Sequence, residues 1–442
     1  MRLAPPIAVS SAGTDQAVNR MAWIATVLCM IGLIISLGGS ALGALLFLAA
    51  WGLVAAPRAD RCLQLICRSP SLWLIPAYAL LSVLWSQAPD ITLRAAAELM
   101  LTVGIASLTA GFLRPREFVS AMSVSLLFGA IASLAFGRYG LDGMTGETVF
   151  LGIFASKNTM ALFMSFLAIF AAAALADRGQ PPLLRLLAVL SFALSLPLLL
   201  LAHSVGALLT TAGSAVVLVS IAVFSRLRSR ERLLTLLGVA ALVLPIVTVV
   251  VVLALNGTLN EDISSFVTGV LGKDATLTGR TVLWQIALAE IAKRPVFGTG
   301  YYGFWLQGNL LAEAIWRYFA IDSRSGFEFH DTFLEVAVEL GWVGVAALLV
   351  TLVLAAGRSV RLALADQTWA TAALVAVIFC LVTRTFGEVD APYPFAAGTF
   401  LLFVVAAYGA DYAHMVRRTK RQVALPPVAW RLLSAAQPSP GA

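Results

Sequence analysis

The stretch MAWIATVLCMIGLIISL, from Met21 to Leu37, contains no charged side chain. An α-helix rises about 1.5 Å per residue, so a run of this kind nearly crosses the ~30 Å hydrocarbon core of a bilayer. The first twenty residues lack the apolar segment of a cleaved leader, so we interpret the run as a retained first membrane helix. The stretch therefore predicts a fold that is inserted into a membrane.

The composition extends this conclusion to the whole chain. Of 442 residues, 60% are hydrophobic and 12% are charged, and the mean hydropathy is +0.91. Soluble domains carry about twice that charged fraction, which excludes a water-soluble fold. The net charge of +7 is explained by arginines beside the membrane, and no nucleic-acid partner is needed for it. The four cysteines lack the spacing of a zinc site.

Twelve apolar runs have lengths near the ~20 residues that a membrane helix needs. They predict an all-α fold, a polytopic membrane helix bundle of about 12 transmembrane helices. The runs are residues 21–37, 40–56, 71–86, 92–113, 117–137, 158–176, 183–202, 205–224, 233–254, 332–356, 367–386 and 393–413.

The basic residues predict how the bundle is oriented. With the N-terminus in the cytoplasm, 20 of the 30 lysines and arginines fall on the cytoplasmic side, in agreement with the positive-inside rule. Both termini are therefore expected in the cytoplasm. The predicted divisions are a cytoplasmic N-terminal segment 1–20, transmembrane helices 1–9 within 21–254, a large periplasmic loop 255–331, transmembrane helices 10–12 within 332–413, and a disordered cytoplasmic tail 414–442.

The loop 255–331 is far longer than the roughly 2–8 residues that usually connect helices. Long loops with their own structure are candidates for function. Within this loop, Thr281 is expected to cap a helix that Pro295 ends.

Polar side chains, most of them ionisable, gather at the predicted outer ends of the helices. Each ionisable group costs about 2.5–3.5 kcal/mol at mid-bilayer, so a set at one level indicates a water-filled cavity with paired charges, although any single charged member also fits an ordinary interface charge. Guanidinium forks match phosphate oxygens, so the cations suit a phosphate or diphosphate. The set is Asp90, Arg94, Lys157, Asn158, His203, Ser204, Arg280, His330, Asp331, Glu335, Arg384, Glu388 and Asp390.

One histidine stands beside a stripe of carboxylates. Asp331, Glu335 and Glu339 are spaced four residues apart, so they share one helix face. The stripe either binds a metal or orients the nearby cations; no second histidine is spaced to join it, which favours the second interpretation. A neutral imidazole at His330 can accept a proton from an attacking hydroxyl or hydrogen-bond it, and Asp331 and Glu335 are expected to tune it. A helix cap is the plainer alternative.

At this point the chain resembles the O-antigen ligase and polymerase superfamily, in particular exopolysaccharide polymerases. The resemblance covers about residues 80–395, and its most specific part is the pair of segments that begin at Leu277 and Phe329. The matching segments are LWSQAPDITLRAA (Leu84–Ala96), GIFASKNTMA (Gly152–Ala161), LTGRTVLWQIALAEIAKRPVFGTGYYGFW (Leu277–Trp305), FHDTFLEVAVELGWVG (Phe329–Gly344) and TRTFGEVD (Thr383–Asp390).

The resemblance implies a metal-independent, inverting glycosyltransferase of the C-type membrane fold that uses no cofactor. Its donor would be an undecaprenyl-diphosphate-linked oligosaccharide. Its acceptor would be a sugar hydroxyl of a lipid-linked repeat at the outer face of the bacterial inner membrane. By the same resemblance, Arg280 takes the diphosphate-binding role and His330 activates the acceptor. The leaving group is already a diphosphate, so the protein mainly has to position the reactants and stabilise charge.

Two positions depart from the pattern of this superfamily. Asp331 stands where an asparagine is frequent, and Val205 stands where many ligases have an arginine. Another cation is therefore expected at the diphosphate, supplied by Arg94, Lys157 or Arg384. The supporting residues are expected to be Asp331, Glu335 and Glu388.

Polymerase and ligase interpretations share a donor and differ in the acceptor, which for a ligase is lipid A–core or another molecule. The loop pattern favours a polymerase in exopolysaccharide or O-antigen biosynthesis. A transporter or flippase is the alternative of another class, but transporters place polar sites near the midplane, whereas here these residues gather at the outer face. The expected partners are the lipid-linked donor, an acceptor glycan, the lipid bilayer, a chain-length regulator and a flippase protein.

Overall fold

The computed structural model describes residues 16–37, 41–141, 148–232, 234, 279–319, 321, 324 and 327–424. Almost all of the regular structure in them is helical. The α-helices are α1 (Gln16–Ser36), α2 (Ala41–Ala55), α3 (Ala59–Cys67), α4 (Leu74–Leu81), α5 (Pro89–Phe112), α6 (Pro115–Phe136), α7 (Lys157–Ala176), α8 (Pro182–Leu201), α9 (Val205–Phe224), α10 (Arg280–Lys293), α11 (Leu310–Tyr318), α12 (Thr332–Asp366), α13 (Trp369–Arg384) and α14 (Ala397–Ala424).

The described helices confirm an all-α polytopic membrane protein. Nine helical segments are long and apolar enough to cross a membrane, and two shorter apolar helical segments, Pro70–Leu84 and Trp369–Arg384, coincide with two further predicted spans. The remaining predicted span, 233–254, lies outside the described residues, apart from residue 234. The predicted division into domains stays a prediction, and most of the C-terminal tail also lies outside the described residues.

A small hairpin is the part of the described chain that departs from helix. Strands β1 (Arg138–Leu141) and β2 (Thr148–Gly152) pair antiparallel between α6 and α7, with Tyr139 opposite Phe150. The hydropathy pattern did not predict it, because the runs of apolar residues on either side dominate the signal.

Helix α12 is broken at Gly341, its tenth residue of 35. Gly341 has φ 66° and ψ −171°, a backbone conformation that L side chains rarely adopt. The segment 295–300, which follows α10, crosses the helix at this break. A Cβ atom at Gly341 would lie 2.2 Å from the carbonyl oxygen of Val296, so glycine is required both for the conformation and for the crossing.

The crossing segment restores the hydrogen bonds that the break removes. In an unbroken helix the carbonyls of Val338 and Glu339 would accept from the amides four residues later, and unpaired groups are costly at membrane depth. Two bonds in each direction replace those bonds: Thr299 N to Val338 O (2.9 Å), Gly300 N to Glu339 O (2.8 Å), Trp342 N to Pro295 O (2.8 Å) and Val343 N to Val296 O (3.4 Å). The loop after α10 is thereby fixed to the start of α12.

We expect Gly341→Ala to destabilise the protein strongly. The left-handed conformation alone costs roughly 1–3 kcal/mol for a non-glycine residue, and the added methyl group also displaces the crossing backbone. The midpoint of thermal unfolding in detergent should fall by several degrees. Gly357→Ala is the matched control, because a Cβ at that position of the same helix meets nothing within 4 Å. Equal midpoints for the two variants would contradict the importance of the break.

The predicted loop helix is present as α10, but its predicted cap was wrong by two residues. Gly279 is the N-cap, with φ 83°, and Thr281 lies inside the helix. The helix ends at Lys293, just before Pro295, as expected. Beyond it, the Trp305 ring packs within about 5 Å of the rings of Phe304 and Phe329, which ties the loop to the residues preceding α12.

Candidate active site

The polar residues of one cluster come from four places that are distant in sequence. Asn158 lies in the first turn of α7, and Arg280 is the first residue of α10. His330 precedes α12 by two residues, and Glu388 follows the end of α13. The structure brings these four helix ends together at one end of the bundle, on the side where the sequence pattern had predicted the outer face.

Glu388 is the centre of this cluster. Its Oε1 accepts hydrogen bonds from Arg280 Nη2 and from Asn158 Nδ2, each at 2.7 Å. Its Oε2 lies 3.7 Å from His330 Nδ1. One carboxylate therefore contacts both residues that sequence reasoning selected as catalytic. We had expected Glu388 only as a supporting residue.

Backbone hydrogen bonds fix Glu388 against the start of α12. Thr332 Oγ1 donates to the carbonyl of Glu388 at 2.7 Å, and Thr332 N donates to the carbonyl of Thr385 at 2.9 Å. The Glu388 amide donates to the carbonyl of Arg384 at 2.8 Å, continuing the last turn of α13. These bonds join the end of α13 to the start of α12, which keeps the carboxylate beside the imidazole.

His330 is held in a strained backbone conformation. Its φ of 54° lies in the left-handed region, which non-glycine residues seldom occupy and which clusters at functional sites. The preceding residue is fixed from both sides, because Trp284 Nε1 donates to the carbonyl of Phe329 at 3.1 Å and the Phe329 amide donates to Glu335 Oε2 at 2.8 Å. These bonds direct the imidazole towards the cluster.

Glu328 is a functional candidate that sequence reasoning missed. Its Oε1 lies 3.3 Å from His330 Nδ1, closer than the carboxylate of Glu388. The buried Nδ1 makes no hydrogen bond of normal geometry within the described residues, so charge holds the imidazole between the two carboxylates. The alternation of Phe327, Glu328, Phe329 and His330 was the available signal, because in an extended segment residues two apart share a side.

The surroundings favour a protonated His330. Burial lowers the pKa of this imidazole, but the carboxylates of Glu328 and Glu388 raise it more, to about 10. Burial raises the pKa of the Glu328 carboxyl. For Glu388 burial acts in the same direction, yet His330 and the arginines nearby lower its pKa overall. These shifts in pKa favour an imidazolium cation between two carboxylates over the neutral imidazole that the sequence pattern had indicated.

Asp331 and Glu335 do not tune His330 as expected. Asp331 Oδ1 accepts from the Leu334 amide at 2.9 Å and caps α12. Glu335 is buried and accepts from Trp305 Nε1 at 2.8 Å as well as from the Phe329 amide. Both carboxylates are thus engaged in holding the backbone around His330, and Glu328 and Glu388 occupy the positions beside the imidazole.

The three residues expected to supply a second cation for the diphosphate, Arg94, Lys157 and Arg384, differ in their surroundings. Arg384 is only 4% exposed and pairs with Asp390, its Nε lying 2.6 Å from Oδ2, so it has a structural partner and is not presented to a ligand. The 81%-exposed side chain of Arg94 pairs with Glu98, four residues along α5, and not with a member of the cluster. Lys157 starts α7 next to Asn158 and is half-buried. That Lys157 supplies the second cation for a diphosphate stays a prediction, and its place next to Asn158 puts it beside the cluster.

The cluster also contains a group of metal-ligand type. The ligand atoms of Glu328, His330 and Glu388 all lie within 4.8 Å of one another. However, Oε1 of Glu388 is already bound by Arg280 and Asn158. The two cations, Arg280 and protonated His330, balance the two carboxylates. A divalent cation would have to displace these contacts, so we expect the charges to be satisfied without one.

The cluster is accessible from outside the bundle. Between 15% and 22% of the side-chain surface is exposed for each of Arg280, Glu328, His330 and Glu388. Such partial exposure desolvates the charges while leaving them reachable. A cation with a fork of donors therefore stands next to a carboxylate–imidazole pair, an arrangement suited to an anionic leaving group and a hydroxyl nucleophile.

Comparison with known proteins gives two matches. The profile of the O-antigen ligase family matches residues 190–349. The exopolysaccharide production protein ExoQ of Rhizobium meliloti (strain 1021) is 33% identical over 338 residues, which is 76% of each chain. The family profile spans Arg280, Glu328, His330 and the first half of α12, whereas Asn158 and Glu388 lie outside it.

Proposed function

This chain belongs to the O-antigen ligase family, and we propose that it is a polysaccharide polymerase of exopolysaccharide or O-antigen biosynthesis. It transfers a glycan from an undecaprenyl-diphosphate-linked donor to a sugar hydroxyl of a second lipid-linked repeat, at the outer face of the bacterial inner membrane, with both termini in the cytoplasm. The observation that carries the proposal is the Arg280–Glu388–His330 contact, in which a diphosphate-binding group and an acceptor-activating group share one carboxylate. The name of the similar Rhizobium protein, which refers to exopolysaccharide production, favours a polymerase.

The donor's diphosphate is bound in this proposal by Arg280, together with Lys157. The guanidinium fork of Arg280 offers two donors to phosphate oxygens, and its buried Nε makes no hydrogen bond within the described residues. As the glycosidic bond breaks, negative charge grows on the diphosphate. A positioned cation stabilises that charge more than it stabilises the bound donor, which is the condition for lowering the barrier.

The acceptor is activated by the Glu328–His330 pair. The acceptor oxygen attacks C1 from the face opposite the diphosphate, the bond from C1 to the diphosphate oxygen breaks with its electron pair leaving on the diphosphate, and configuration inverts. Glu328 takes the hydroxyl proton. Protonated His330 holds that carboxylate in place, and the raised pKa of Glu328 makes it a stronger base than an exposed carboxylate.

The pH dependence of the single-turnover rate tests which group is the base. We expect the rate to rise as Glu328 ionises, at a pH above the usual range for glutamate. It should then stay level and fall only near pH 10, where His330 loses the proton that organises the pair. If a neutral imidazole were the base, the rate would instead climb about tenfold per pH unit to pH 10. Below its pKa, the fraction of His330 that is neutral increases tenfold with each pH unit.

We expect the reaction to survive chelation. The cations of the cluster already balance Glu328 and Glu388, so no divalent ion is needed to offset the carboxylates, and Lys157 adds positive charge for the diphosphate. Polymerisation by the purified protein should keep its rate in millimolar EDTA. Loss of activity that added Mg²⁺ or Mn²⁺ restores would identify the Glu328–His330–Glu388 group as a metal site instead.

A ligase is the second candidate, favoured by the description of the matching family. The two functions separate in one experiment, in which purified protein receives only the lipid-linked donor. A polymerase produces a ladder of longer lipid-linked chains, whereas a ligase produces none until lipid A–core or another acceptor is added. Failure to consume donor with any acceptor, combined with movement of the lipid-linked glycan across proteoliposomes, would support a transporter.

A further inference from the structure

The end of the bundle away from the charged cluster contains a basic cleft. It has a volume of about 680 Å³ and lies where α7 ends, α8 begins, α9 ends and α13 begins. Helices α7 and α13 run from one end of the bundle to the other, because Asn158 and Arg384 lie at the ends near the cluster and the cleft lies at their opposite ends. At about 1.5 Å per residue, the 20 residues of α7 separate the two sites by roughly 30 Å.

Three arginines and one acid line this cleft. Arg178 lies in the turn between α7 and α8, Arg185 lies in the first turn of α8, and Arg226 follows α9. The acid, Asp177, forms an ion pair with an arginine that does not line the cleft, because its Oδ2 lies 2.7 Å from Arg116 Nε. No acidic side chain in the described part of the chain pairs with Arg178 or Arg185, so the cleft carries excess positive charge.

The arrangement suits a phosphate group. Exposed guanidinium groups of Arg178 and Arg185 offer forks of donors that match phosphate oxygens. The third guanidinium, of Arg226, is held over the ring of Trp369 at 5.1 Å and donates to the carbonyl of Ala222, so its position is fixed before any ligand arrives. The positive end of the α8 dipole lies beside the same cleft.

The apolar surroundings favour a lipid over a soluble anion. Leu175 and Trp369 line the cleft together with the arginines, and tryptophan is enriched at the membrane interface. On α8, the side chains of Leu183 and Leu186 are 66% and 65% exposed. A headgroup in the cleft would thus place its acyl chains along an apolar helix face that nothing in the described chain covers.

We propose that this basic cleft binds the phosphate of an anionic membrane lipid in the leaflet opposite the active site. Basic pockets between membrane helices are a general means of holding such headgroups. The proposal requires only a membrane-spanning bundle and stands whether the chain is a polymerase or a ligase. A bound lipid there would join the ends of α7, α8, α9 and α13, which are otherwise linked by short turns or side-chain contacts.

The test is lipid binding to the full-length protein, purified in detergent and titrated with phosphatidylglycerol while native mass spectrometry measures the bound fraction. We expect phosphatidylglycerol to bind more tightly than phosphatidylcholine. Arg178→Gln and Arg185→Gln should each weaken its binding about fivefold, the effect of roughly 1 kcal/mol per arginine near a lipid surface. Arg185→Lys should lose less, because it keeps the charge.

The matched control is Arg361→Gln, an exposed arginine near the end of α12 at the same end of the bundle that does not line the cleft. It should leave phosphatidylglycerol binding unchanged. Equal weakening by Arg361→Gln and Arg185→Gln would show general attraction to the basic surface and overturn the proposal. Displacement of the lipid by a few millimolar inorganic phosphate, with equal affinity for phosphatidylcholine, would also overturn it in favour of a site for soluble anions.

Discussion

His330→Ala should reduce turnover about 10²–10⁴-fold, the usual range for a group that acts in positioned proton transfer. The substitution removes the cation that lies between Glu328 and Glu388, so the two carboxylates repel and the base loses its position. Donor binding should change little, because Arg280 keeps its bond to Glu388 and remains available to the diphosphate. Single-turnover rates and donor affinity, measured on the same purified variant, separate the two effects.

The matched control is His203→Ala. His203 also has a positive φ, of 50°, but it is exposed and belongs to the turn between α8 and α9, outside the contacts that join the cluster. It should leave turnover nearly unchanged. A large loss of donor affinity in His330→Ala, with normal turnover of bound donor, would assign the histidine to the diphosphate site instead.

A double variant tests whether His330 and Glu328 act as one unit. Glu328→Gln removes the proposed proton acceptor while keeping a side chain of similar size. If the two residues form one unit, the double variant His330→Ala, Glu328→Gln should lose no more than the more damaging single variant, since groups that act together are strongly non-additive. Losses that multiply would indicate two independent roles.

Arg280→Ala should cost a hundredfold or more in rate, about 3 kcal/mol, by analogy with the removal of one charge-stabilising donor. The loss arises because negative charge develops on the leaving diphosphate and no fork of donors remains to receive it. Arg280→Lys should recover little, because a single point charge replaces two aligned donors. Transfer from the lipid-linked donor, measured at matched protein levels, gives the comparison.

The control for Arg280 comes from the same loop. Arg317 is exposed on α11 and belongs to no contact of the cluster, so Arg317→Ala removes the same charge from the same side of the protein. Its rate should stay within about twofold of the unchanged protein. Full activity of Arg280→Ala would refute the assigned role.

Hydropathy predicted the bundle well, because each membrane helix must satisfy its own backbone and therefore appears as a continuous apolar run. The same reasoning missed the break at Gly341, since the residues on both sides of it are apolar and helical in pattern. The break depends on hydrogen bonds to the crossing segment 295–300, which lies about 40 residues earlier in the chain. Long-range backbone pairing of this kind leaves no periodic signal.

Sequence patterns also failed to predict which side chains contact His330 in the candidate site. Arg280 and His330 were singled out among the polar residues of the predicted outer face, and their roles came from the resemblance to a known family. The structure places both within reach of Glu388. The partners of His330 were assigned by helical spacing, which favoured Asp331 and Glu335. Because His330 precedes the helix in a left-handed conformation, its ring faces Glu328 and Glu388 instead, the second of them 58 positions further along the chain.

The most direct test of the proposed mechanism is a cryo-electron microscopy map of the protein with an undecaprenyl-diphosphate-linked donor, using the Glu328→Gln variant to slow transfer. We expect diphosphate density within hydrogen-bond distance of the Arg280 guanidinium, with the first sugar of the donor on the side of His330 and residue 328. Diphosphate density at another place in the protein, with Arg280 still bound only to Glu388, would contradict it.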